Sequence, residues 1–216
     1  MRLRILNFSL LLVVCLSACT PSAPPVLPTP SALTVYSTYA AEPWLSELYD
    51  CAGTQTVLER VSDPGSAQIR LQVGEANPSP FAYQIDTEEL LIVTQRQSPV
   101  QNLSLAEVRA YFLGQGDPTV QLWSYAPGED VMDAFNRLVL EDGAVGSVSP
   151  SAHIAATPQE MSDLLINQPN TLGILPRHWK AGDSREVFNA GAIPVLALTP
   201  NEPQAVVKDL IACLQS

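Results

Sequence analysis

The sequence predicts an α/β protein with a largely parallel sheet. Three observations carry this: strand-like and helix-like stretches alternate from Leu33 onward, several strands are apolar along their length, and helices open on recognisable caps. LTVYS (33–37) reads as a buried strand. An amphipathic helix follows over Pro43–Cys51, with Trp44, Leu45 and Leu48 on one face and Gly53 as its stop. TQTVLERV (54–61) and AQIRLQV (67–73) read as strands, separated by little more than Ser62-Asp63-Pro64-Gly65-Ser66. FAYQI (81–85) and ELLIVTQ (89–95) are the next two, the latter apolar enough for a central position.

Helix starts are the better marked elements in the second half. Ser104-Leu105-Ala106-Glu107 forms a capping box, in which the serine accepts from the third helical N–H and the glutamate reaches back. Its helix runs to about Leu113, before Gly114. Thr157-Pro158-Gln159-Glu160 repeats that logic with proline at the first helical position. Between them lie a strand, TVQLWSY (119–125), and a helix over Glu129–Leu140 with Val131, Phe135, Leu138 and Val139 facing inward. TLGIL (171–175) and PVLALT (194–199) are strands, and Glu202–Leu214 closes the chain as a helix.

The N-terminus has a different character. Arg2 and Arg4 precede an apolar run, Leu6–Leu16, that is shorter than the roughly 20 residues of a membrane span. It fits the apolar region of a secretory signal over residues 1–18. The run ends in Leu16-Ser17-Ala18-Cys19, which resembles the lipobox of bacterial lipoproteins and implies lipidation at Cys19. An ordinary signal peptide cut after Ala18, or a short anchor, is the alternative. TPSAPPVLPTPSA (20–32) carries five prolines, so residues 19–32 read as an extended tether with a reach of about 40 Å.

Charge narrows the partners. The chain carries −11, and loss of residues 1–18 with their two arginines takes it to −13. Such a chain lacks the Lys/Arg excess that nucleic-acid phosphates require. It has two histidines, His153 and His178, with no His-x-x-x-His pair and no Gly-x-Ser-x-Gly elbow. Nothing in the pattern points to an enzyme, a cofactor or a metal site. Once Cys15 and Cys19 are assigned to the signal and the lipid, Cys51 and Cys213 remain. In a compartment that permits disulfides they form either a bridge or two separate buried thiols.

Four stretches together resemble a family. SPVQNLSLAEVRAYFLGQ (98–115), VQLWSYAPGEDVMDAFNRLVL (120–140), SDLLINQPNTLGILPRHW (162–179) and IPVLALTPNEP (193–203) are similar, in this order, to segments of phosphate-type periplasmic solute-binding lipoproteins. The resemblance implies a two-lobed type II periplasmic-binding-protein-like fold with mixed, largely parallel sheets. Lobe one would hold residues 33–93 completed by 194–216, and lobe two residues 97–180. Crossings would fall near Thr94–Pro99 and Lys180–Ile193. The first and last helices would then share a lobe, which favours the Cys51–Cys213 bridge.

In that family an oxyanion is held between the lobes by hydroxyls and N–H groups at helix N-termini, which suit anions. The resemblance places Ser37, Thr38 and Tyr39 on one lip, where plain N-capping is the competing role. Tyr125-Ala126-Pro127-Gly128-Glu129-Asp130 stands where a hydroxyl-rich glycine loop is expected, leaving Ser124, Gly128 and Glu129 as candidate contacts. Glu129 and Asp130 put negative charge there, although carboxylates are also ordinary partners of a helix start. Arg96 could face the cleft or solvent. Arg177-His178-Trp179-Lys180 is either a partner- or membrane-facing patch or a plain loop.

The function implied is a membrane-anchored, extracytoplasmic solute-binding protein serving an ABC importer. Its partners would be a small polar solute or oxyanion, a permease, and the membrane through the N-terminal lipid. The alternative is a lipoprotein of the same fold that has lost its solute and binds a partner or senses a signal.

Overall fold

The computed structural model describes residues 32–75 and 81–216. The signal segment, Cys19 and the tether up to residue 31 therefore lie outside the described residues. In chain order the elements are β1 (Ala32–Ser37), α1 (Glu42–Ala52), β2 (Val57–Arg60), β3 (Ile69–Val73), β4 (Ala82–Gln95), α2 (Leu105–Phe112) and β5 (Gln121–Ser124). Then come α3 (Asp130–Leu138), β6 (His153–Ile154), α4 (Pro158–Asn167), β7 (Thr171–Pro176), β8 (Ser184–Leu198) and α5 (Ala205–Leu214).

The strands form one sheet in the order β2-β1-β3-β8-β4-β7-β5-β6. β1 pairs in parallel with β2 and β3, and β5 pairs in parallel with β6 and β7. Between these two parallel groups run β8 and β4, antiparallel to each other from Ala82↔Leu198 to Gln95↔Ser184. β3 borders β8 only over Val195–Leu198, and β7 borders β4 only over Leu90–Thr94. One half of the sheet is thus attached through β8 and the other through β4.

Local chemistry explains the elements. Leu33, Val35 and Ser37 alternate into the interior along β1, as a strand with one fully covered face requires. Trp44, Leu45, Leu48 and Ala52 form the buried face of α1, which carries proline in its first turn. The capping box at Ser104 and Glu107 is made in both directions. Thr157 accepts from the Glu160 N–H at the head of α4. α4 lies close against β7 because Gly173 has no side chain: a Cβ there would stand 2.6 Å from the Met161 sulfur. Phe112 of α2 and Phe135 of α3, both fully buried, meet at 4.6 Å between ring centres.

The central pair differs from the sequence expectation. FAYQI and ELLIVTQ are one 14-residue strand, and residues 184–193, expected within a crossing, belong to the 15-residue β8. The polar run Asp86-Thr87-Glu88-Glu89 looks like a break by periodicity. It stays in the sheet because β8 pairs with it throughout, with a register shift where Leu90 and Leu91 oppose Gly191 and Asn189. Gly191 adopts φ 128°, a backbone state that favours glycine. β2 is shorter than expected, holding only Val57–Arg60 of residues 54–61.

Cys51 and Cys213 are bonded, with Cα atoms 6.0 Å apart, and join the ends of α1 and α5. No helix among the described residues is long and apolar enough to cross a membrane.

Candidate functional site

The loop between β1 and α1 sits where the two halves of the sheet meet. It turns through main-chain bonds, Thr38 N–H to Leu71 O and Ala41 N–H to Thr38 O. The N-cap of α1 is Ala41, which makes no side-chain cap bond. Neither hydroxyl of the loop caps the helix. Ser37 Oγ donates to its neighbour's carbonyl at 2.9 Å, and Thr38 Oγ1 donates to Asp130 Oδ2 at 2.6 Å.

Asp130, the first residue of α3, therefore bridges to the other half of the sheet. Its Oδ2 also accepts the Val73 N–H at the end of β3 (3.0 Å), and its Oδ1 accepts the Val131 N–H (2.9 Å). Two remote donors, the Thr38 hydroxyl and the Val73 N–H, and the N–H of the next residue converge on one carboxylate. α3 is pressed onto the end of β3 beside it. Gly74 follows at φ 79°, a backbone state that favours glycine, and Arg137 pairs with Glu75 at 3.2 Å.

The other expected contacts take different positions. Ser124 is buried at the end of β5, where its carbonyl accepts the Ala155 N–H. Gly128 is exposed with φ 90°. Glu129 turns its own N–H to Ala126 O and makes no side-chain cap bond. Tyr39 is half exposed. Of the six candidate residues, only Thr38 reaches the convergence point through its side chain. Asp130, Val73 and Val131 complete it, and the clue in the sequence was a carboxylate at the head of a helix where hydroxyls are expected.

The site is electrically negative. Burial raises the pKa of Asp130, opposed by its bonds from Thr38, Val73 and Val131, with Asp133 adding to the rise. Glu129 is raised by burial and then by the Asp130 and Asp133 carboxylates. Tyr36 is raised by burial and by Glu129 and Asp130, against a smaller opposing effect of Arg70.

The segment after β7 holds the same loop from its other side. Trp179 Nε1 donates to Ala40 O at 3.1 Å, and the His178 ring packs on Trp44 with centroids 4.6 Å apart. Trp44 Nε1 donates to Asp86 (2.9 Å). Glu88, 1% exposed, lies 2.8 Å from His178 Nδ1 and accepts the Glu89 N–H. Arg177 is paired with Glu89 and Glu186. The 177–179 segment leaves β7 as a short turn, and Arg177, His178 and Trp179 all make contacts within the molecule while Arg177 and His178 stay exposed. Arg96 lies 3.9 Å from Asp183 at a well-exposed position. Cavities of about 300 Å³ beside Tyr111, Gln121 and His153, and of about 470 Å³ beside Arg96, Lys180 and Arg185, are lined by neither Thr38 nor Asp130. Among the described residues no group of three or more His, Cys, Asp or Glu side chains is arranged for a metal.

No protein-family description matches the sequence, and no curated protein is similar to it. Solved structures are similar. A phosphate ABC transporter substrate-binding protein of Clostridium perfringens, with bound phosphate, superposes with a TM-score of 0.73 at 13% identity, covering 86% of this chain and 93% of its own. An ABC-type phosphate transport receptor of Vibrio cholerae gives 0.65 at 14% identity, covering 85% and 93%. A regulatory-domain mutant of HypT from Salmonella typhimurium gives 0.62 at 14% identity, covering 85% and 98%. With its two parallel strand groups joined through β4 and β8, the chain has the type II periplasmic-binding-protein-like fold.

Proposed function

We propose that the protein is a lipid-anchored, extracytoplasmic solute-binding protein that takes a small polar solute at the seam around Thr38. Its lobes are residues 33–93 with 194–216, and residues 97–180. Cys19 carries the lipid, the proline-rich tether holds the lobes off the membrane, and an importer permease receives the solute. The observation that carries the reading is the convergence of the Thr38 hydroxyl with the Val73 and Val131 N–H groups between the two halves of the sheet. These donors are taken by Asp130, so a solute at the seam meets acceptors, the Asp130 and Glu129 carboxylates, which recognise a solute's own N–H and O–H groups. Tyr39 and Glu129 stand beside this point as further contacts. The acidity supplied by Glu129 and Asp130 suits a neutral or positively charged solute better than free phosphate.

A second reading, a partner-binding or sensory module without a solute, is favoured by one observation: the three donors already hold a side chain of the chain itself. Calorimetric titration of the full chain with phosphate, sulfate, molybdate, amino acids and polyamines separates the two. Binding of one of them that Thr38→Val weakens is the result expected of a carrier. Silence toward all of them sinks the carrier in favour of the module.

A further inference from the structure

We infer that Asp130 is a built-in ligand: its carboxylate occupies the donor point between the β1–α1 loop, the end of β3 and the start of α3, and so excludes free oxyanions from it. This rests on the reading of the seam as the ligand site, and it assigns the residue that sets selectivity there.

The geometry is that of a bound anion. Oδ2 takes two donors, a hydroxyl at 2.6 Å and an N–H at 3.0 Å, and Oδ1 takes an N–H at 2.9 Å. The donors come from positions 38, 73 and 131, so no single local turn creates the arrangement. The carboxylate also stands at the head of a nine-residue helix, where negative charge is favoured. An anion arriving from solution must displace a group tethered to the site, whose effective concentration is millimolar or higher. It must also approach the Glu129 carboxylate, and Asp133 in the first turn of the same helix. The donors that would recognise an oxyanion are therefore spent on the protein's own carboxylate.

Asp130→Ser tests this directly. It removes the carboxylate, leaves the Thr38, Val73 and Val131 donors in place and adds a small hydroxyl. Calorimetry on the full chain at neutral pH, with inorganic phosphate and with sulfate, should show no binding to the wild type below about 10 mM, given that tethered competitor. Asp130→Ser should bind one of these oxyanions at least about tenfold more tightly, a gain of about 1.4 kcal/mol. Adding Thr38→Val to that variant should abolish the gain. Equal affinity in wild type and Asp130→Ser, or a folded Asp130→Ser that gains nothing, overturns the inference.

Should Asp130→Ser not fold, the wild type still decides. Millimolar phosphate that shifts the Val73 and Val131 amide resonances overturns the inference, and amides that stay fixed support it. The proposed function fails separately. A wild type that binds an amine or neutral solute, with no oxyanion gain in Asp130→Ser, leaves that function standing and removes this inference. A wild type silent to every solute, with the gain in Asp130→Ser, does the opposite.

Discussion

The loop that leaves β1 is held from two sides, and the two holds differ in kind. On one side Thr38 meets a single carboxylate, Asp130, through a short polar contact. On the other, Ala40 and Trp44 meet Trp179 and His178, two rings whose indole and imidazole faces bury apolar surface as well as making bonds. The aromatic side gains from area and shape, which persist in any ionic state. The carboxylate side gains from charge-assisted bonds and loses to desolvation, so its net worth is the smaller difference of two larger effects. One side is a permanent joint by construction. The other can be emptied or refilled by changing one group.

This contrast can be broken by substitution. Trp44→Ala should cost most, about 3–5 kcal/mol, because it removes a fully buried indole and leaves a cavity against His178. Chemical denaturation measures it, and a loss no larger than that of Thr38→Val would reverse the ranking of the two sides. The paired change Cys51→Ser and Cys213→Ser should cost about 2–4 kcal/mol through the unfolded chain. It acts at the far end of α1, so the near-ultraviolet dichroism of Trp44 and Trp179 should persist below the melt. Loss of that signal in the folded protein would mean that the bridge, and not the aromatic contact, sets the position of the loop.

Thr38→Val should cost about 1.5–3 kcal/mol, since it withdraws a donor from a half-buried carboxylate. A double-mutant cycle with Asp130→Ser should recover most of that as coupling, and independent, additive losses would show that the two groups do not act together. Trp179→Phe keeps an aromatic ring, though a smaller one, and loses the bond to Ala40 O, which alone is worth about 0.5–1.5 kcal/mol. A larger loss in thermal melts would make the aromatic side more polar in origin than its packing indicates.

Glu129→Gln should have the smallest effect and the opposite sign. The pKa of Glu129 is raised in the folded chain by burial and by Asp130 and Asp133. Its favourable contribution is therefore complete below the unfolded pKa and is lost as pH rises through the folded one. At neutral pH Glu129→Gln should melt slightly above the wild type, and the difference should vanish below about pH 4, where the unfolded glutamate is protonated. A variant that melts lower at neutral pH would mean that the Glu129 charge supports the seam.

Periodicity and caps made most elements legible. The capping box at Ser104, the Thr157–Pro158 start and the apolar face of α1 depend on neighbours within one or two turns, and each is found at its expected place. The sequence reading expects polar chemistry where the loop after β1 faces the start of α3, and Thr38 Oγ1 donates to Asp130 there. What failed were inferences that needed distant partners. Ser37 and Thr38 look like helix caps in sequence, yet Ala41 takes the cap position and Thr38 turns to a residue 92 positions away. The contacts of His178 with Trp44 and of Trp179 with Ala40 O likewise join positions far apart in the chain and leave no local signal.

The sequence alone determined the α/β class, most of the strands and helices in their order, and an acidic group at the head of α3. Short-range hydrogen bonding and the alternation of apolar residues suffice for these. Only the tertiary structure decided that β4 continues through its polar stretch, that the 177–179 segment closes on the loop after β1, and that the Thr38 hydroxyl and the Val73 N–H meet on the Asp130 carboxylate. Each depends on which groups from remote segments are left without water and must find one another, and burial of that kind is settled by the packed sheet as a whole.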